Sequence, residues 1–210
     1  MPSLADTFRK AEKHLARRDP VLKRIIKQIG PCTLEPSQDY FGVLVRSIIS
    51  QQISTLAAKS IFRKVQETFA PTPLQPKLIL EASTETLKNA GLSAAKQRYI
   101  RDLSEKLESG ELVLEGIAEL DDEEVITRLL PVKGIGRWTA EMFLIFCLGR
   151  LNVLPVADLG VIVGVQKEYE LEKKPGKEEL LKLAEPWQPY RTIGIWYIWR
   201  TFGDVVPQSK

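Results

Sequence analysis

The chain of 210 residues is 44% hydrophobic, enough to bury a core in one domain or in two lobes, which argues against a disordered protein. Its 30 Lys and Arg residues nearly balance 27 Asp and Glu residues, and the net charge of +3 permits a polyanionic partner without requiring one. The N-terminal stretch lacks an apolar signal region, and no later run reaches the ~18 apolar residues of a membrane span. We therefore expect an intracellular protein with no membrane partner.

Helical periodicity dominates the chain, starting with the N-terminal 40 or so residues. Residues 40–69 repeat apolar positions at spacings of three and four, with a polar interruption that separates two helices near Gln51 and Gln52. Prolines in residues 71–76 end the second helix. Shorter helices are predicted over residues 84–90 and 93–108.

The second half of the chain also predicts helices. Asp121 and Asp122 can cap a helix that reaches Leu130, and the next helix should begin in a glycine turn and run to Gly149. Residues 151–155 form an extended connection, after which further helices are predicted from Asp158 toward residue 169, after residue 175 and over 187–202. Because no strand-like alternation extends beyond a few residues, the predicted fold is all-α, and the lack of a long linker favours lobes over independent domains.

Few types of catalytic or metal site are compatible with the composition. Only Cys32 and Cys147 could supply thiolates, and His14 is the single histidine. This argues against iron–sulfur clusters, Cys-rich zinc sites and His-dependent catalytic triads. Chemistry would then depend on carboxylates, amides, aromatic residues or a lysine, and we predict no required cofactor.

The string LPVKGIGRWTA, residues 130–140, places two glycines in a basic turn before an apolar helix. Gly134 and Gly136 can take positive φ and admit a ligand to the backbone, and the free amides at a helix start favour an anion. Lys133 and Arg137 would add attraction for phosphate that weakens with salt. Two readings stay open, an ordinary corner between helices and a phosphate-binding turn.

Asp158, within LPVADLGV, is in the position of a helix N-cap. Amides and the helix dipole favour the charged form of such a carboxylate and hold it in place. Such a carboxylate can stabilise a developing positive charge, and it can activate water. Capping and catalysis are compatible, whereas Asp121 and Asp122 are better explained as caps alone.

Residues 130–140 closely resemble the helix-hairpin-helix of the HhH-GPD DNA glycosylase superfamily, and GIGRWTA is similar to the 3-methyladenine DNA glycosylase II branch. The resemblance covers roughly residues 40–202 and implies a two-lobed helical glycosylase domain over 1–210, without an N-terminal β domain. Lobe A would comprise residues 1–39 plus 150–210. Lobe B would comprise 40–149 with the hairpin at 125–148, and the site is expected in the cleft between the lobes.

The resemblance implies two functions for the hairpin backbone. A DNA phosphate would be bound by the following residues: Lys133, Gly134, Ile135, Gly136, Arg137 and Thr139. A structural monovalent cation, Na⁺ or K⁺, would be bound by the backbone carbonyls of Leu130, Val132 and Ile135.

The resemblance also implies the residues that act on the base. Asp158 matches the catalytic aspartate, which follows the hairpin by about twenty residues in this family. Trp138 and Trp199 match aromatic positions of the base pocket, where cation–π contacts attract a cationic alkylated purine. Met142 replaces a pocket tyrosine of the branch's bacterial representative. The remaining aromatic residues near the C-terminus are expected in the core: Trp187, Tyr190 and Trp196.

Two further positions concern strand cleavage and base extrusion. Bifunctional relatives carry a lysine two residues after the second hairpin glycine, and Trp138 stands there, so no lyase activity is expected. The polar break matches the minor-groove wedge loop, with Gln52 inserted into DNA and Gln51 and Ser54 supporting it. A helix junction with no DNA role is the alternative.

The function expected from these residues is that of a monofunctional DNA N-glycosylase of base excision repair. It would extrude and hydrolytically release alkylated purines of the 3-methyladenine type, leaving an abasic site. Its partner would be double-stranded DNA that carries alkylated bases. The protein would be a monomer and would be located with the chromosomal DNA. The alternatives are a non-catalytic helix-hairpin-helix DNA-binding protein and a helical protein-interaction domain.

Overall fold

The computed structural model describes residues 3–203, and within this range the chain forms twelve α-helices, one 3₁₀ turn and no β-strand. The predicted all-α class is confirmed. In chain order the helices are α1 (Leu4–Arg18), α2 (Pro20–Ile29), α3 (Tyr40–Ser50), α4 (Thr55–Phe69), α5 (Pro76–Glu81), α6 (Thr84–Asn89), α7 (Ala94–Glu108), α8 (Asp122–Leu129), α9 (Arg137–Phe146), α10 (Leu159–Glu168), α11 (Lys177–Leu183) and α12 (Arg191–Arg200). The 3₁₀ turn, Ile117–Glu119, precedes α8.

The described residues divide into two compact units. The central unit is Ser37–Leu148, and the terminal unit consists of the described residues on either side of it. The outermost residues of the predicted lobe A, 1–2 and 204–210, lie outside the described residues. None of the helices in the described range combines the length and hydropathy needed to cross a membrane.

The terminal unit is built around α12, which packs against α1, α2 and α10. Eight consecutive residues of α12, 192–199, are buried, so this helix has no solvent-facing stripe over most of its length. The predicted helix over residues 187–202 in fact begins at Arg191. Trp187 lies before it, fully buried, and its indole Nε1–H donates to the Asp19 carboxylate over 2.8 Å. As expected, Trp187 and Trp196 are core residues, whereas Tyr190 is only half-buried.

The central unit is built around α3, which packs against α4, α7 and α9. Helix α7 also supports α5 and α6, and α8 packs against α9. Helix α9 stops at Phe146 instead of reaching Gly149, because the Cys147 and Leu148 amides both donate to the Phe143 carbonyl and close the last turn.

Helix α5 was not predicted, since the prolines of residues 71–76 indicate only a break. Pro76 is the first residue of α5, a position where its fixed φ suits the helix and its missing N–H costs nothing. The last proline of a segment that the sequence pattern marks only as a break therefore begins a helix in the structure.

Candidate functional site

Asp158 of the terminal unit caps α10, as its sequence position predicts. Its Oδ1 atom accepts a hydrogen bond from the Val161 amide over 2.7 Å and another from the indole Nε1–H of Trp199 over 2.9 Å. The structure thus brings together two residues assigned to the site that are 41 positions apart in the chain. One donor belongs to the backbone of α10 and the other to the side chain of α12, so the carboxylate is held from two helices.

Gly160 makes this close approach sterically feasible, and the sequence analysis did not single it out. A Cβ atom at this position would lie 3.1 Å from Asp158 Oδ1 and 3.1 Å from Trp199 Cδ1. Any larger residue would therefore crowd both partners of the hydrogen bond. In the sequence, the feature that could have pointed to Gly160 is its place two residues after the capping aspartate.

The two hairpin glycines of the central unit serve different purposes. Gly134 has φ of +80°, and a Cβ atom there would lie 2.3 Å from ring atoms of Tyr99. Gly136 has φ of −99°, and a Cβ atom there would meet nothing within 4 Å. The positive φ that glycine permits is therefore used at Gly134 alone, while Gly136 leaves open space at the start of α9.

The backbone amides of the turn divide into two groups. The Ile135 amide donates to the Val132 carbonyl over 3.0 Å, and the Lys133 amide donates to Asp102 Oδ2 over 2.8 Å. Within residues 3–203, the amides of Gly134 and Gly136 have no hydrogen-bond acceptor. Gly136 caps α9 without a side-chain hydrogen bond, so the positive end of this helix dipole faces an uncapped turn.

Both basic side chains beside the turn form ion pairs within the central unit. Lys133 Nζ lies 3.0 Å from Asp102 Oδ1. Although burial opposes the change, the hydrogen bonds and charge of Lys133 lower the pKa of the Asp102 carboxyl below its ordinary value. Arg137 binds both carboxylate oxygens of Glu123, and its Nε is 3.2 Å from Glu141 Oε1.

These ion pairs change the roles expected of the cations. The hydrogen bonds with Glu123 raise the pKa of the Arg137 guanidinium and lower that of the Glu123 carboxyl. A phosphate would therefore compete with carboxylates for Arg137, and with Asp102 for Lys133. The remaining two predicted phosphate ligands, Ile135 and Thr139, have buried side chains, and the Ile135 amide already donates to the Val132 carbonyl.

The polar break between α3 and α4, residues Gln51–Ser54, is the segment predicted to be the minor-groove wedge, and we call it the wedge loop. Gln52 is exposed and has φ of +59°, which is uncommon for a residue with a side chain. Gln51 instead turns toward the hairpin, where its Nε2 donates to the Gly134 carbonyl over 2.7 Å and to Thr139 Oγ1 over 3.0 Å. Ser54 caps α4 through the Ala57 amide. The structure thus connects the predicted wedge loop to the predicted phosphate-binding turn.

Two apolar side chains beside the wedge loop were not predicted as part of the site. Ile53 is 37% exposed and Leu56 is 72% exposed. Both follow Gln52 directly or within one turn of α4, so the loop presents an apolar surface next to a polar tip.

Trp138 and Met142 are four residues apart on α9 and share one side of it. Trp138 is half-buried, whereas Met142 is buried. Their spacing permits both to contact one ligand, with Trp138 the more accessible of the two.

The carbonyl groups suggested for a cation belong to a single turn. Val132 accepts one hydrogen bond, from Ile135, which leaves its second lone pair for another partner. Across residues 3–203, no donor binds the carbonyls of Leu130 or Ile135. A donor set of carbonyl oxygens fits a hard cation rather than a transition metal. These three residues are therefore compatible with Na⁺ or K⁺.

Comparison with known families assigns the class of protein. The model of the HhH-GPD superfamily base excision DNA repair proteins matches residues 45–189, and the chain belongs to this family. The matched range includes the wedge loop, the hairpin and Asp158, which confirms the resemblance inferred from the hairpin motif.

Individual relatives agree with this assignment. Alkylbase DNA glycosidase-like protein mag2 of Schizosaccharomyces pombe is 36% identical, over 92% of this chain and 93% of its own length. DNA-3-methyladenine glycosylase 1 of the same yeast is 35% identical, over 94% of this chain and 89% of its own. The solved structure of S. pombe 3-methyladenine DNA glycosylase (Mag1) in complex with abasic DNA matches with a TM-score of 0.83 and 35% identity, covering 91% of this chain and 96% of that one.

Proposed function

We propose that this protein is a monofunctional DNA N-glycosylase of base excision repair that releases alkylated purines of the 3-methyladenine type. Family membership and the names of its relatives support this activity. The observation that carries the proposal is Asp158, a carboxylate held at the start of α10 by the Val161 amide and the Trp199 indole.

Asp158 supplies the chemistry in this proposal. The bond between C1′ and the alkylated base lengthens, and positive charge develops on the sugar as the base leaves with the bonding electrons. A carboxylate beside C1′ stabilises that charge and accepts a proton from the attacking water. Trp199 limits rotation of the carboxylate by binding Oδ1, so that its position is set before the substrate arrives. The products are the free base and an abasic site.

The central unit binds the DNA in this proposal. The amides of Gly134 and Gly136, together with the start of α9, bind a phosphate of the backbone. The carbonyls of Leu130, Val132 and Ile135 hold a monovalent cation that stabilises the turn.

Extrusion of the base involves other residues of the same unit. Gln52 enters the minor groove and fills the space of the extruded nucleotide. Trp138 and Met142 contact the base, and the electron-poor ring of an alkylated purine favours the indole face. Because position 138 carries no lysine, no Schiff base forms with the sugar and the strand stays intact.

The proposal includes the setting in which the protein works. The protein acts as a monomer on double-stranded DNA that carries alkylated bases. It is located in the compartment that holds the chromosomal DNA and has no membrane partner. No cofactor takes part in the hydrolysis, because the carboxylate and water suffice for a leaving group that is already cationic.

Release of free base from methylated duplex DNA tests the proposal. In single-turnover assays, Asp158→Asn should excise at least about a hundredfold more slowly than the unaltered protein, since the charge at the reaction centre is removed. Asparagine is also a good N-cap, so the melting temperature should change little. Asp121→Asn, at the cap of α8, is the matched control and should keep full activity.

Three results would contradict parts of the proposal. Equal excision by Asp158→Asn and the unaltered protein would refute the catalytic assignment. Binding of DNA without any base release would favour the non-catalytic DNA-binding alternative. Strand cleavage without added base or heat would refute the monofunctional mechanism.

A further inference from the structure

Helix α7 contacts both DNA-binding elements of the central unit through side chains spaced three residues apart. Asp102 binds Lys133 in the hairpin, and the ring of Tyr99 packs against Gly134. One turn earlier, Lys96 reaches the end of α3 where the wedge loop begins. Residues at this spacing lie along one side of a helix, so α7 is a common support for the loop and the hairpin.

The ammonium group of Lys96 binds the last carbonyls of α3. Its Nζ donates to the Gln51 carbonyl over 3.1 Å and to the Ile48 carbonyl over 3.4 Å, and it also contacts the Ile49 carbonyl. The Ile48 carbonyl also accepts from the Gln51 amide over 3.4 Å, and all three carbonyls lie at the negative end of the α3 dipole, where a cation is favourable. Lys96 is half-buried, and burial lowers the pKa of its ammonium group.

The contact with the Gln51 carbonyl bears directly on Gln52. That carbonyl belongs to the peptide group between the two residues, so holding it fixes the plane from which the Gln52 side chain departs. Gln52 has φ of +59°, a conformation that is unfavourable for a residue with a Cβ atom. The surrounding structure must offset this cost, and Lys96 contributes by donating to the carbonyl of that peptide group.

We propose that Lys96 is a positioning residue for base extrusion, which holds the peptide group before Gln52 and thereby presets the wedge for insertion into DNA. The inference rests on the proposed function, in which Gln52 is the wedge. It separates two properties of the central unit: Lys96 governs how well a vacated position in the duplex is filled, while the hairpin governs attachment to the backbone.

The test compares binding to two duplexes, one undamaged and one with a tetrahydrofuran abasic-site analogue. Preference for the second duplex measures the filling of the gap, because attachment through the hairpin contributes to both. Lys96→Met should reduce this preference about tenfold and slow single-turnover excision to a similar extent, as expected for loss of a cation at a helix end. Its affinity for undamaged DNA should stay within about twofold.

Further variants distinguish a positioning role of Lys96 from an effect on folding stability and from a general effect of its charge. Lys96→Arg keeps the cation and several donors and should recover most of the preference. Lys88→Met removes an exposed lysine of the same unit and should leave both affinities unchanged. Gln52→Ala should lower the preference by itself, and adding Lys96→Met to it should cause little further loss, because both act on one step.

An unchanged preference in folded Lys96→Met would overturn the inference. Equal loss of affinity for both duplexes would also overturn it, since Lys96 would then serve only stability or general charge. If Lys96→Met does not fold, the same binding comparison is made with Lys96→Gln, and melting curves check that this variant is folded. Failure of the unaltered protein to release any base would instead reject the proposed function.

Discussion

Two helix starts that carry predicted site residues, α10 in the terminal unit and α9 in the central unit, are built in opposite ways. Helix α10 begins with Asp158, whose carboxylate accepts from the first-turn amide of Val161. Helix α9 begins with Gly136, which provides no side-chain cap. The same backbone feature therefore positions a carboxylate of the protein in one unit and leaves a place for an external anion in the other.

The comparison extends to the charged groups nearby. Around α9, the cations Lys133 and Arg137 are bound to the carboxylates of Asp102 and Glu123. Much of their charge is thus compensated before any ligand arrives. In the proposed function, the hairpin therefore binds phosphate mainly through neutral amides placed in a fixed geometry, and less through the attraction of side-chain cations.

Gly136→Asp should make the two helix starts alike and have the largest effect. The φ and ψ of Gly136 are those of an N-cap, and the space for a Cβ atom is open, so the new carboxylate can bind the amides of α9. DNA affinity should fall about a hundredfold, because charge-assisted hydrogen bonds to phosphate are lost and a like charge is added. Fluorescence anisotropy with labelled duplex measures the affinity.

Two alanine variants are the controls for that substitution. Gly136→Ala adds only a methyl group and should weaken DNA binding by several-fold at most, with an unchanged melting temperature. Gly134→Ala should destabilise the protein by about 2 kcal/mol, since positive φ and the Tyr99 ring both oppose a Cβ atom. If Gly136→Asp binds DNA as tightly as the unaltered protein, the amides of α9 do not hold the phosphate.

Trp199→Phe tests the other helix start. It keeps an aromatic ring in α12 but removes the donor to Asp158 Oδ1. The single-turnover excision rate should fall about tenfold, the scale expected for one hydrogen bond to a charged group. DNA affinity should hardly change. Trp196→Phe, another buried tryptophan of the same helix, is the control, and an equal loss of rate in both variants would argue against a specific role of Trp199.

Glu123→Gln should have the smallest effect and the opposite sign. It weakens the ion pair of Arg137 and makes the guanidinium more available to phosphate. DNA affinity should increase about threefold, and the slope of log K against log salt should steepen by about one. Glu115→Gln removes the same charge from an exposed position and controls for net charge. A reduced slope in Arg137→Gln would instead mean that Arg137 already contacts phosphate in the unaltered protein.

Local patterns predicted most of the secondary structure. The cap of α10 at Asp158 and the break between α3 and α4 follow from residue preferences that act over a few positions. The start of α12 was misplaced because Trp187 fits the apolar period of the helix, although its indole is bound to Asp19, far away in the chain. Helix α5 was missed because a proline can end one helix or begin the next.

The sequence alone determined the all-α class, the family motif and the residue types available for chemistry, because these depend on periodicity and on short strings of adjacent residues. The tertiary structure alone decided the environment of those residues. It brought Trp199 into hydrogen-bond contact with Asp158, Asp102 with Lys133, and Lys96 with the end of α3. These contacts join positions tens of residues apart, and their geometry follows from helix packing that no local pattern encodes.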